Sequence, residues 1–207
     1  MTAVPFGTPQ EKLIETEIRR WSANVLEKKN KAFNNLPACP YAQAAWDKDK
    51  VGIVFKHDKD YQSLYSLIST FDDKYDLIIL VDTAYDEYER FHEYLDELND
   101  DISQGLFTTK DMWVMGFHPD GDDNDNLEGE NFEPLVDEEY GLIFIQRLTK
   151  LQEAAEKIKK LGYYDCYKDT HNTDEIYQKR ELFYRRLKNG NESKEKTNGR
   201  AKTCSSR

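Results

Sequence analysis

Apolar positions along this chain switch between two periods, and the switching sets out its elements. Leu13, Ile14, Ile18, Trp21, Val25 and Leu26 recur at three- and four-residue steps, the spacing of one helix face. Thr8 before Pro9, with Glu11 three residues on, supplies a capping box, so the pattern predicts a first helix over residues 8–33, broken by Asn34-Asn35-Leu36-Pro37. A short helical segment, 40–46, follows. Val51 to Phe55 is β-branched and reads as a strand. Asp60 opens a helix over 60–71 with Leu64, Leu67, Ile68 and Phe71 on one side. The run 76–81 is nearly all apolar, as strands covered on both faces are.

The third long helix, 85–103, carries Tyr88, Phe91, Leu95, Leu98 and Ile102 as its stripe. Strands over 112–117 and 140–146 flank a segment, 120–139, crowded with Asp, Asn, Glu and Gly. Helices over 148–161 and 174–188 complete the order. Strand–helix–strand alternation predicts right-handed crossovers and a partly parallel sheet, while the two strands around the acidic segment have no helix between them and are expected to be antiparallel. The expected fold is α/β: a single domain over residues 1–188, with a mixed four-stranded sheet, packed helices and a long N-terminal helix. Residues 189–207 are expected to form a disordered basic tail.

Charge changes this picture. The formal net charge is −11, yet residues 179–207 hold ten Lys and Arg against three Glu, so the first 178 residues carry about −18. A body this acidic repels phosphate backbones, which argues against a nucleic-acid role and confines any such contact to weak ones through the tail. A protein partner stays open, as does the oligomeric state. No apolar run approaches the roughly 20 residues of a membrane span, and the N-terminus lacks a signal pattern. Three cysteines, Cys39, Cys166 and Cys204, are too few and too scattered for a disulfide framework or a zinc cluster, so a reducing, cytoplasmic setting is expected.

Two residues stand out chemically. Cys39 precedes a short helix, whose free amides favour a thiolate. The run Cys39-Pro40-Tyr41-Ala42 has no second cysteine for a redox dithiol, and a helix rather than a strand precedes it. The competing expectation is a core Cys39 packing the short helix on Trp21 or Trp46. His118 ends a strand beside Pro119, where ligands of α/β sheets gather, and a histidine there serves as a base, a metal ligand or a fastening for the turn.

The element order, together with Cys39-Pro40-Tyr41-Ala42, the run Asp86 to Leu95 and Gly116-Phe117-His118-Pro119-Asp120, resembles an uncharacterised bacterial family, the domain of unknown function numbered 1415. The resemblance spans roughly residues 12–160 and implies an architecture without an activity. The family's usual segment after His-Pro is replaced here by Asp122-Asp123-Asn124-Asp125-Asn126.

The acidic segment fails the calcium-loop template: a loop begun at Asp120 has Asp125 where glycine belongs, and one begun at Asp122 has Leu127 there. Glycine-rich phosphate loops, nucleophile elbows, His-x-x-x-His pairs and dinucleotide fingerprints are missing from the sequence. Cofactor and metal stay open, as does cation binding by residues 120–139. The expected function is that of a non-enzymatic interaction or binding protein. The alternative is a small enzyme or metal-binding protein with a thiol–imidazole site at Cys39 and His118.

Overall fold

The computed structural model describes residues 7–39, 41–107, 109–121, 133–164 and 176–189. The expected tail and most of the acidic segment lie outside the described residues. Helix α1, Pro9–Trp21, begins with the expected capping box between Thr8 and Glu11. It does not continue to Phe33. A π-helical turn, Ser22–Leu26, ends it, and the chain turns into a hairpin of β1, Lys29–Asn30, and β2, Leu36–Pro37. The physical reason lies in the polar run after Leu26. It offers no apolar residue to the sheet, and the Asn30 side chain accepts the N–H of Ala32 at 2.9 Å, starting a new turn instead. Asn34 and Asn35 then adopt φ of 57° and 60°, a region that asparagine enters more readily than most residues.

The remaining elements follow the expected order with slightly shifted ends. They are α2, Ala42–Asp47; β3, Val51–Lys56; α3, Gln62–Thr70; β4, Leu77–Asp82; α4, Tyr88–Gln104; β5, Trp113–Phe117; β6, Gly141–Gln146; and α5, Leu148–Lys159. A final helix, α6, covers residues 176–189. The main sheet has the order β3-β4-β6-β5. β3 and β4 are parallel, and β6 is antiparallel to both its neighbours, so β3, β4 and β5 all run one way. The mixed four-stranded α/β sheet read from the sequence is present.

This topology makes the two faces unequal. Both crossovers, β3-α3-β4 and β4-α4-β5, advance across the sheet in the same direction, so crossovers of one hand put α3 and α4 on one face. There Leu64 and Ile68 of α3 and Phe91, Leu95, Leu98 and Ile102 of α4 enclose Ile78, Leu80, Val114, Ile143 and Ile145 in the largest core. Asn99 extends the cover to the edge strand, exchanging two 2.8 Å hydrogen bonds with the backbone of Val114. The opposite face carries Ile79, Val81 and Phe144, and one long helix, α1, lies on it through Ile14 and Ile18. Four strands span about 19 Å, whereas a helix covers about 10–12 Å. The rest of that face is walled from the side by α2, α5 and α6. Trp113, Leu148, Leu151, Phe183 and Tyr184 form a third core there.

Candidate functional site

β3, β4 and β5 end together on one edge, the place where α/β sheets commonly hold ligands. In this protein the polar groups of that edge are largely paired with one another, beside an open hollow of about 500 Å³ lined by Glu11, His57, Thr83, Tyr85, Glu138 and Glu139. Lys56 and Asp82, the last residues of β3 and β4, are register partners, and Nζ of Lys56 lies 2.9 and 3.0 Å from the two carboxylate oxygens. Both side chains are withdrawn from solvent, and Asp82 also accepts the N–H of Ala84 at 3.0 Å. A buried ion pair supplied with further hydrogen bonds has little left to offer a ligand. Nearby, the Tyr61 hydroxyl donates to Asp86 at 2.7 Å, a bond that is the main cause of the depressed Asp86 pKa. His57 bridges Thr83 and Glu11, at 3.0 and 2.9 Å.

His118 stands at this edge on the α4 side, 7% exposed. Its Nδ1 accepts the N–H of Asp120 at 3.0 Å, which leaves the proton on Nε2 to be donated to the Asp86 carbonyl at 2.8 Å. Tyr85, Tyr88 and Phe91 meet the ring edge-on. The imidazole thereby fastens the turn after β5, with both nitrogens in use.

Cys39 stands elsewhere. It lines one cavity with Val51 and Leu77, near Tyr41, whose hydroxyl donates to Gln146, at the end where β3 and β4 begin and on the α1 side of the sheet. The length of β5, five residues and about 15 Å, separates that end from the His118 edge. The structure therefore does not bring Cys39 and His118 together as a thiol–imidazole pair. The helix-end effect expected at Cys39 is present in part, since the amides of Tyr41 and Ala42 reach its sulfur. Burial outweighs them and pushes the thiol from 9.0 up to about 11, so it stays protonated at neutral pH. Among the described residues no group of three or more His, Cys, Asp and Glu could hold a metal ion.

What Cys39 does border is a cavity of about 220 Å³ on the thinly covered face. Its floor is the sheet, through Ile79, Met115, Phe117 and Phe144. Its walls are Ile18 and Trp21 of α1, Ala45 and Trp46 of α2, and Ala154, Ala155 and Ile158 of α5. Trp46 is held in place by its Nε1–H, which donates to Ser22 in the π-helical turn at 2.9 Å. A few polar groups converge on this apolar space: the Cys39 thiol, the Tyr41 hydroxyl donating to Gln146, the Tyr164 hydroxyl and the guanidinium of Arg180. Burial raises the pKa of Tyr41 well above its ordinary value, with Cys39 adding to the effect, so the phenol is neutral. Among the described residues that line the cavity there is no His, Asp or Glu.

Tyr41 lies in the run quoted for Cys39, whereas Gln146, Tyr164 and Arg180 belong to no catalytic signature. One signal for Arg180 was legible: it shares a helical stripe with Tyr177 and Tyr184, so a cation occupies a position where the face is otherwise buried. Comparison of the chain with family models, with curated proteins and with solved structures gives no match.

Proposed function

We propose that this chain is a non-catalytic binding protein whose ligand is a small, largely apolar molecule seated between the α1 face of the sheet and helices α2, α5 and α6. The observation that carries the reading is the cavity. Protein interiors are close-packed, so about 220 Å³ of largely apolar space between the sheet and its helices departs from ordinary packing. An apolar pocket with a few convergent polar groups is the usual form of a small-molecule site. The lining supports binding rather than turnover: the Cys39 thiol and Tyr41 phenol are held neutral, and the described lining residues include no carboxylate or imidazole to act as a base.

Trp21 and Trp46 line the cavity and report on it by fluorescence. Titration with a neutral probe, 3-phenylpropan-1-ol, should give a saturable change. Ala154→Leu, which fills the space from α5, should weaken binding about ten-fold or more while keeping or raising the melting temperature. A wild-type protein that gives no saturable change would remove the basis of this reading.

A further inference from the structure

We propose that the ligand is an amphipathic anion, a carboxylate on an apolar body little larger than benzene, with its charged end held by Arg180 and Tyr164. This rests on the reading of the cavity as a ligand site and names the class of molecule that fits it.

Arg180 is the reason. It is 8% exposed, and its side chain is a cation. Its side-chain hydrogen bond runs from one Nη to the hydroxyl of Tyr164, at 3.2 Å. Its Nε has no partner, and no carboxylate forms an ion pair with it among the described residues. Among the described residues, of the buried side-chain atoms left without a partner, this is the one that belongs to a charged group. The adjacent carboxylate in sequence, Glu181, is already used: one oxygen accepts from Gln152 at 2.8 Å and the other from Arg185 at 2.6 Å. A cation withdrawn from water without a counter-charge is strongly unfavourable, and the described residues supply none, which favours an anionic ligand at this place.

The neighbours suit such an anion. The Tyr164 hydroxyl accepts from Arg180, which leaves its own proton to donate, and burial keeps that proton on the oxygen. An Arg N–H and a phenol O–H side by side match the two oxygens of a carboxylate. The far end of the cavity is apolar, with Trp21, Phe117 and Phe144. A cavity of about 150 Å³ accepts benzene, so 220 Å³ admits an aromatic ring with a short chain.

Titration calorimetry at pH 7 with 3-phenylpropionate and with 3-phenylpropan-1-ol tests this, because the two probes share a body and differ in charge. The wild-type protein should bind the carboxylate about ten-fold more tightly or better, the worth of one charge-assisted hydrogen bond. In Arg180→Gln the two affinities should fall within about two-fold of each other. Equal affinities in the wild type, or a preference that survives Arg180→Gln, would overturn the anionic end while leaving the cavity as a ligand site. Failure of both probes to bind would overturn the two readings together. Should Arg180→Gln not fold, the wild-type comparison decides alone.

Discussion

The two ends of the sheet treat buried charge in opposite ways. At the edge where β3, β4 and β5 finish, Lys56 meets Asp82, His118 spends both nitrogens on backbone groups, and Tyr61 is bonded to Asp86. At the other end, on the α1 side, Arg180 is buried beside 220 Å³ of space, with no carboxylate paired to it among the described residues. The first arrangement resembles an active site by position alone, since its polar groups are mutually satisfied. The second holds Cys39 but no catalytic signature, and it joins an apolar cavity to a charge that lacks a counter-ion among the described residues. A site is better recognised by what its groups still lack than by which residue types it collects.

The largest expected effect comes from breaking the satisfied end. Asp82→Ala leaves Lys56 buried and unpaired, which should cost about 3–5 kcal/mol in urea unfolding. Arg180→Gln removes a charge that already lacks a partner, so it should change stability by less than about 1 kcal/mol or raise it. Similar losses from both substitutions would break the comparison, because Arg180 would then have to be paired within the fold.

A smaller effect should appear at alkaline pH. Burial is the first cause of the raised pKa at Tyr41, Tyr61, Tyr94 and Tyr140, and it lifts Cys39 to about 11. Acids with raised folded pKa hold their protons more tightly in the fold than in the unfolded chain. Their contribution is complete below the unfolded values and is lost as pH climbs through the folded ones. Stability should therefore hold from pH 7 to about 8.5 and fall above about 9, with tyrosinate absorbance rising together with unfolding. In the same pH series Cys39 should be alkylated by iodoacetamide more slowly at pH 7 than a free cysteine. A stability plateau up to about pH 11, or a fast Cys39 at neutral pH, would contradict the burial assigned to these groups.

Much of the fold was legible because its elements follow simple periods. Phe91, Leu95, Leu98 and Ile102 form the buried stripe of α4 that their spacing predicts, and the run from Ile78 to Val81 is covered on both faces. The end of α1 was not legible. Val25 and Leu26 keep the helical period, but a π-helical turn sets the chain off it before the polar run begins. The strand order was hidden as well, because β6 inserts between β4 and β5 through backbone pairing that leaves no local mark. The candidate site depends on that order. Only when both crossover helices share one face does the other become too wide for α1, and no window of sequence shows a gap between elements. Cys39 was singled out for its helix-end amides, and burial reverses the sign of the expected shift.

Isoleucine methyl spectra distinguish a ligand on the thinly covered face from one bound elsewhere. Ile18, Ile79 and Ile158 line the cavity, while Ile78, Ile143 and Ile145 sit in the core beneath α3 and α4. Titration with 3-phenylpropan-1-ol should move the methyl signals of the first three in a saturable way and leave the second three in place. Shifts confined to Ile78, Ile143 and Ile145, or spread evenly over both sets, would contradict the account.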